Sequence, residues 1–244
     1  LTGIMTKMHH CKYRFGLTGT LDGTQTHQLV LEGLFGAAEK VVTTKELIDK
    51  STLANLKIKC LILRHPNIRE KMTYAEELEY IVSNEKRIDF VVNLLRHLNG
   101  NTLCLFQLVE KHGKILNDKM KGSENVYFVY GGTDTSDREK IRGLVETHTK
   151  STTIASFGVF STGINIRNIN NIVLASPSKS KIRVLQSIGR GLRRSNSKDS
   201  ILIYDIADDI SYNERRNFTL NHFTERLNIY NEEQFDYDIS KVKL

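Results

Sequence analysis

Short apolar runs alternate along the chain with segments of helical periodicity. The runs are mostly continuous, as expected for strands that are covered on both faces of a sheet. They occupy 57–63, 101–107, 125–130, 152–157, 171–176 and 200–206. Helical patterns fall at 74–98, 108–120, 136–148, 180–194 and 211–228. This order of elements predicts an α/β domain with a parallel sheet flanked by helices.

Residues 1–53 show a different pattern. A strand-like segment ends with 14–21, a polar loop is predicted at 23–28, and a helical pattern follows at 44–56. We place a domain boundary at Leu53, so that 1–53 is the end of a preceding domain with its linker and 54–244 is one complete α/β domain. The pattern at 232–244 is compatible with an added edge strand or with a loose tail.

Composition excludes several classes of protein. With 39% hydrophobic and 26% charged residues and only 2 prolines, the chain is an ordinary globular sequence. Its apolar runs, such as LCLF at 103–106, are far shorter than the roughly 20 residues of a membrane-spanning helix, so no membrane contact is expected. Cys11, Cys60 and Cys104 form no CxxC pair, which predicts reduced thiols in a cytoplasmic protein and neither a disulfide nor a metal site.

The net charge of +7 is unevenly distributed. No Asp or Glu occurs from Thr147 to Lys198, where the average frequency of acids in the chain would give about six. This acid-free window contains nine basic residues: Lys150, Arg167, Lys179, Lys181, Arg183, Arg190, Arg193, Arg194 and Lys198. Either it is a solvated basic face or it attracts a polyanion. Because its only aromatic residues are Phe157 and Phe160, phosphate contact is favoured over base stacking.

The strongest local motif is QSIGRGLRR at 186–194. Arg190 and Arg193 are three positions apart on a predicted helix, so both can face a single anion. Two guanidinium groups hold a phosphate through forked hydrogen bonds that lysine cannot make. The alternative, an ordinary basic amphipathic helix, does not explain Gln186 or the glycines, since each glycine costs a helix up to about 1 kcal/mol.

The 186–194 segment resembles motif VI of the superfamily 2 helicases. Other segments match further motifs of the same family in the same order: 17–21 (LTGTL) is similar to motif III, 103–116 to motif IV, 130–142 to the segment after it, and 161–166 (STGINI) to motif V. The resemblance covers nearly the whole chain. It implies a RecA-like sheet carrying motifs IV to VI, preceded by the end of a first RecA-like domain.

The resemblance also implies a role for each matching residue. It makes Arg190 and Arg193 arginine fingers on the γ-phosphate of ATP, with Gln186 positioning nucleotide or water. Gly163, Asn165 and Gly189 would line the ATP cleft between the two domains, although many relatives carry Asp in the place of Asn165. Candidates for contacting DNA, or for coupling it to ATP, are Thr18, Thr20, Phe106, Gln107, Gly132, Arg138 and Ser161.

Several parts of an ATPase are missing from the sequence. There is no GxxxxGK[ST] loop and no DExH box, and the apolar strand with acids at 201–209 is interpreted as structural because it follows motif VI. His9, His10 and Cys11 lack the second ligand pair of a metal site. We therefore expect that ATP and Mg²⁺ are bound mainly by an N-terminal RecA-like domain before Leu1, and that the isolated chain is inactive.

The resulting hypothesis is the C-terminal motor half of an ATP-dependent DNA helicase or translocase. The resemblance implies branched DNA as substrate, roles in recombination and repair, and, for the bacteriophage members of the family, the host cytoplasm. Two alternatives stay open: a stand-alone basic α/β module that binds nucleic acid without nucleotide hydrolysis, and a fragment of an RNA helicase.

Overall fold

The computed structural model describes residues 2–8, 10–17, 25–39, 41–50, 52–66, 68, 70–162, 166, 168–177, 200–213 and 215–244. The chain divides into two compact units, Leu1–Thr43 and Thr44–Leu244. No helix in these described ranges is long and apolar enough to span a membrane.

The first unit contains α1 (Thr2–Met5), a 3-10 turn (Thr6–Met8) and α2 (Gln25–Phe35). Two predictions for this unit are wrong in their described parts. Residues 14–17 are not a strand, and the helix starts at Gln25, inside the predicted polar loop. The described residues of this unit contain no strand, so residues 14–17 have no described partner strand with which to pair.

The second unit is built on a seven-stranded parallel sheet with the strand order β3-β4-β2-β5-β6-β1-β7. Its strands are β1 (Asn55–Arg64), β2 (Asn101–Phe106), β3 (Val126–Val129), β4 (Ser151–Ser156), β5 (Ile169–Leu174), β6 (Ser200–Asp209) and β7 (Tyr237–Lys243). The six predicted strands and the predicted α/β fold class are confirmed. The C-terminal tail is an edge strand, β7, which pairs with β1.

The helices of this unit are α3 (Thr44–Asp49), α4 (Tyr74–Ser83), α5 (Glu85–His97), α6 (Lys114–Lys119), α7 (Thr135–Thr147), α8 (Phe157–Thr162) and α9 (Phe218–Glu232). A π-helix, Val109–Gly113, precedes α6. The predicted helix at 180–194 lies outside the described residues.

Three helix predictions need correction. The helix predicted at 44–56 covers only Thr44–Asp49, because the end of that segment belongs to strand β1. The pattern at 74–98 is two helices, because Asn84 is extended and its side chain accepts a hydrogen bond from the backbone N–H of Arg87, which caps the second helix. The helix predicted from 211 begins at Phe218. Its first amides, those of Phe218 and Thr219, donate to the carboxylate of Glu77 at 2.8 and 2.9 Å, so this buried acid fixes the helix start.

The core has two layers because alternate residues of each strand point to opposite faces of the sheet. On one face, Leu103 and Leu105 of β2 pack in a cluster with residues of α7, α8 and α9. On the other face, Cys104 and Phe106 pack in a cluster with residues of α5 and α6. The three cysteines are free, as predicted, and burial raises the pKa of Cys104 to about 12.

Strand β6 carries one buried acid on each face. Asp205 accepts hydrogen bonds from Nη2 and Nε of Arg226 of α9, the shortest at 2.7 and 2.9 Å, and another from the hydroxyl of Tyr230 at 2.8 Å. Asp208 pairs on the opposite face with Arg87 of α5 at 2.7 Å. Each acid therefore fixes a helix to the sheet, which is the structural role expected for the 201–209 strand.

Candidate functional site

The candidate site lies at the carboxyl edge of the sheet, where β4, β2 and β5 are neighbours. After β2 the chain runs to β3 at one side of the sheet, whereas after β5 it continues to β6 on the other side. Ligands of open parallel sheets bind in the crevice at such a switch point. The segment that resembles motif IV includes the end of β2, and along the chain β4 precedes the motif V segment and β5 precedes the motif VI segment.

The two candidate residues at the end of β2, Phe106 and Gln107, differ in exposure. Phe106 is fully buried, and its ring stacks on that of Phe128 at 5.6 Å. The side chain of Phe106 is therefore part of the core rather than of the surface. Gln107, the next residue, is exposed, and its backbone N–H donates to Ser176 Oγ at 3.1 Å. Of these two candidates, only Gln107 presents its side chain at the edge.

The exit from β3 is a tight turn stabilised by Arg138. The N–H of Thr133 donates to the carbonyl oxygen of Tyr130 at 3.0 Å, and the Arg138 guanidinium donates to the carbonyl of Gly131 at 3.1 Å. A Cβ at Gly132 would lie 2.7 Å from the ring of Tyr130, so a larger residue here would displace that ring. Gly132 and Arg138 are thus brought together at one turn of the edge, where the arginine already stabilises the loop.

The exit from β4 passes directly into a helix, α8, which contains Ser161. Most of the other predicted site residues lie outside the described residues: Thr18, Thr20, Gly163, Asn165, Gln186, Gly189, Arg190 and Arg193. The roles of these residues remain predictions.

A buried polar network that the sequence did not indicate lies behind the edge. Asp208 Oδ1 accepts from Arg87 Nε at 2.7 Å and from His65 Nε2 at 2.9 Å, and Arg87 Nη2 donates to the carbonyl oxygen of Ala175 at 2.8 Å. Burial alone would raise the pKa of Asp208, but the charge of Arg87 and the hydrogen bonds from Arg87 and His65 outweigh it and lower that pKa. Asp208 is therefore an ionised buried acid that orients Arg87.

A second buried contact joins the π-helix to the exit from β5. His112 is fully buried, and its Nδ1 lies 2.9 Å from Ser176 Oγ. Burial, with the charge of Arg87 nearby, lowers the pKa of His112 to about 3, so the ring is neutral at physiological pH. The only sequence signal for this contact was the His-Gly pair inside a helical pattern.

The residues described at this edge do not fit a magnesium ion. No group of three or more His, Cys, Asp or Glu side chains with a metal-binding arrangement occurs in the described part of the chain. The two buried acids of the apolar 201–209 strand, Asp205 and Asp208, already pair with buried arginines. The residues that the sequence assigns to ATP lie outside the described ranges.

Comparison with known proteins identifies the domain. Residues 86–195 match the helicase conserved C-terminal domain. The chain is 34% identical to the ATP-dependent DNA helicase UvsW of enterobacteria phage T4 over 100% of its own length and 52% of that protein. The chain thus spans about half the length of this relative.

Solved structures agree with this assignment. The crystal structure of T4 UvsW superposes with a TM-score of 0.67 and 33% sequence identity, covering 99% of this chain and 51% of that one. The DNA-bound restriction-modification enzyme LlaBIII, at 12% identity and a TM-score of 0.58 over 96% of this chain and 18% of that one, shares the fold alone. The predicted resemblance is confirmed: residues 86–195 match the helicase conserved C-terminal domain, and the second unit has the RecA-like parallel sheet expected from the resemblance to superfamily 2 helicases.

Proposed function

We propose that this chain is the C-terminal motor part of an ATP-dependent DNA helicase or translocase that acts on branched DNA in recombination and repair. In this proposal Arg190 and Arg193 act on the γ-phosphate of ATP bound mainly by a preceding RecA-like domain. The carboxyl edge of the present sheet contributes contacts to the DNA backbone. The choice of DNA, and of branched DNA, rests on the family resemblance and on the T4 relative, which is a DNA helicase.

One observation carries the proposal. Strand β2, which carries the start of the motif IV segment, lies between β4 and β5, the strands that precede the motif V and motif VI segments along the chain. A residue that contacts DNA and a residue that contacts ATP must share one rigid body if nucleotide binding is to move DNA. The exits of β2 and β5 meet this condition, because Gln107 bonds to Ser176, just before the segment with the proposed fingers.

The charge distribution supports a polyanionic partner. The acid-free window begins at Thr147 and includes the segments that follow β4 and β5 along the chain. Nine positive charges with no acid between them create a field that attracts phosphate groups. Contacts of this kind bind nucleic acid through its backbone, independently of sequence, as a translocating motor requires.

The arginine pair supports phosphoryl-transfer chemistry. Charge on the transferred phosphoryl group must be stabilised in the transition state, and a guanidinium supplies forked donors for this purpose. The chain contains no P-loop, and its described residues contain no metal-binding acidic group. The phosphate cradle and the Mg²⁺ ligands are therefore assigned to the preceding domain, and the isolated chain should not hydrolyse ATP.

The test is substitution of Arg193 in the intact protein, with the preceding domain present. Arg193→Ala should lower the DNA-stimulated kcat by roughly 10³–10⁵-fold, as for other arginine fingers, while DNA affinity and thermal stability change little. Arg193→Lys should be nearly as inactive, because an ammonium cannot make the forked contact. Arg142→Ala is the matched control, since Arg142 pairs with Glu139 and Glu146 on its own helix.

The outcomes separate the alternatives. A binding module without hydrolysis predicts that either substitution reduces DNA affinity slightly and that lysine restores it. Turnover stimulated by RNA and not by DNA would indicate the RNA helicase alternative. Near-normal turnover in Arg193→Ala would refute the finger assignment.

A further inference from the structure

We propose that Arg87, His112 and Ser176, here called the exit cluster, position the segment after β5 relative to the exit of β2, and so couple DNA contact at Gln107 to the arginine fingers. This inference rests on the proposed function, because it concerns the placement of the 178–199 segment that contains Arg190 and Arg193. The three residues are positioning residues, since they are buried and act through the backbone.

The exit of β5 is held by four hydrogen bonds at two consecutive residues. The N–H of Ala175 donates to the carbonyl oxygen of Leu105 at 3.0 Å, and the carbonyl of Ala175 accepts from Arg87 Nη2 at 2.8 Å. Ser176 Oγ accepts from the N–H of Gln107 at 3.1 Å and lies 2.9 Å from His112 Nδ1. Such density of contacts at a strand exit fixes the direction in which the next segment leaves.

The hydroxyl of Ser176 bonds to both partners. Its Oγ accepts from the N–H of Gln107, because a backbone N–H can only donate. A hydroxyl has two lone pairs and one proton, so it donates to His112 Nδ1 when the neutral ring carries its proton on Nε2 and accepts from Nδ1 in the other tautomer. His112 Nε2 has no hydrogen-bond partner among the described residues, so the desolvation of this atom is not compensated there. The serine hydroxyl therefore connects β2, β5 and the π-helix.

The local backbone is shaped to bring His112 to this point. His112 lies in the π-helix, an uncommon element that often occurs at functional sites. A Cβ at Gly113 would lie 2.4 Å from the ring of Phe106, so only glycine permits the π-helix to pack against β2. Arg87 in turn is oriented by Asp208 and His65, which fixes the third member of the cluster.

These hydrogen bonds link the exit of β2 to the exit of β5. The N–H of Gln107, the exposed candidate for DNA contact, donates to the hydroxyl of Ser176, and the N–H of Ala175 donates to the carbonyl oxygen of Leu105. Loss of the hydroxyl leaves both strands paired in the sheet but removes the bond between Gln107 and Ser176. Misplacement of a group by about 1 Å can cost up to about a hundredfold in rate. We expect the loss to affect kcat rather than binding.

The test uses Ser176→Ala in the intact protein, at a temperature well below its melting point. The DNA-stimulated kcat should fall at least about tenfold, whereas the KM for ATP and the affinity for DNA should change less than about twofold. Ser83→Ala is the control, because Ser83 is an exposed serine whose hydroxyl bonds only to backbone carbonyls of its own helix.

A second pair of variants keeps the test decisive if Ser176→Ala is unstable. His112→Asn keeps a polar side chain that can bond to the hydroxyl of Ser176 and should keep most of the activity, whereas His112→Leu removes this bond and should lower kcat in the same direction as Ser176→Ala. The double variant Ser176→Ala with His112→Leu should be no less active than Ser176→Ala alone, because the serine substitution already removes the bond to His112.

The failure of this inference is distinguishable from failure of the proposed function. Normal kcat in both Ser176→Ala and His112→Leu, or additive losses in the double variant, would overturn the exit cluster while Arg193→Ala remained inactive. Equal losses in His112→Asn and His112→Leu would also overturn it. Turnover in Arg193→Ala would refute the function itself, whatever the serine variants showed.

Discussion

Replacing His112 by asparagine should make the free energy of unfolding fall less in mild acid than it does in the wild type. The ring is 0% exposed, and its burial beside Arg87 lowers the pKa of His112 from 6.5 to about 3. The unfolded chain has the ordinary pKa, so between these two values the unfolded state binds one proton more than the folded state. A lowered folded-state pKa means that this contribution to stability is present above pH 6.5 and is lost as the pH falls towards 3.

The magnitude follows from the two pKa values. Where His112 is fully protonated in the unfolded state and neutral in the folded state, the free energy of unfolding falls by about 1.4 kcal/mol per pH unit. Because protonation is only partial near pH 6.5, the free energy of unfolding falls by about 2 kcal/mol between about pH 7 and about pH 5. Asparagine cannot titrate but keeps an acceptor for the hydroxyl of Ser176. The variant should therefore lose about 2 kcal/mol less than the wild type over this interval.

The assay is urea unfolding of the 244-residue chain at both pH values, followed by circular dichroism. Comparing each protein with itself removes the direct effect of the substitution on packing. His97→Asn is the matched control, because it replaces an exposed histidine and should retain the wild-type difference. Equal losses for the wild type and His112→Asn would refute the reasoning, since they would show that folding does not exclude the proton from His112.

The remaining predictions concern packing and activity. Asp205→Asn should leave the buried charge of Arg226 without a counter-charge and lower stability by about 3–5 kcal/mol, measurable as a fall in Tm of at least about 6 °C; a fall below about 2 °C would contradict it. Gly113→Ala should destabilise by about 1–3 kcal/mol through its clash with Phe106, whereas Gly143→Ala, with open space around it, should be neutral or stabilising by up to about 1 kcal/mol in urea unfolding. The isolated chain should show no DNA-stimulated ATP hydrolysis in a phosphate-release assay, and robust turnover would contradict the assignment of the phosphate cradle to a preceding domain.

The sheet was predictable because its strands are buried on both faces. β2 is buried at every position, and its apolar run at 103–106 is the direct consequence of such burial. The edge strand β7 was ambiguous because most of its residues are exposed, so no apolar pattern identifies it. The break at Asn84 was also missed, since apolar periodicity continues through both helices and the capping hydrogen bond depends on one side chain.

The exit cluster was not predictable for a different reason. His112 and Ser176 are 64 positions apart, and their contact depends on the packing of a π-helix against neighbouring strands. Periodicity reports which face of an element is buried, but it does not report which polar groups meet inside. Motif resemblance identified the exposed Gln107. Of the buried groups in the exit cluster, His112 lies in the same motif IV segment without being singled out, and Arg87 and Ser176 lie outside the segments that resemble motifs.

The two acids of β6 show how buried charge contributes here. Asp205 and Asp208 are three positions apart on one strand and therefore face opposite sides of the sheet, where Arg226 and Arg87 meet them. A buried ion pair adds little net stability relative to apolar packing, but a helix that docks out of register leaves two charges unpaired. The pairs therefore select one position for each helix. On the side of Arg87 this selection reaches the candidate site, because the same guanidinium that pairs with Asp208 also donates to the carbonyl of Ala175. The register of one core helix is in this way tied to the strand exit from which the proposed finger segment departs.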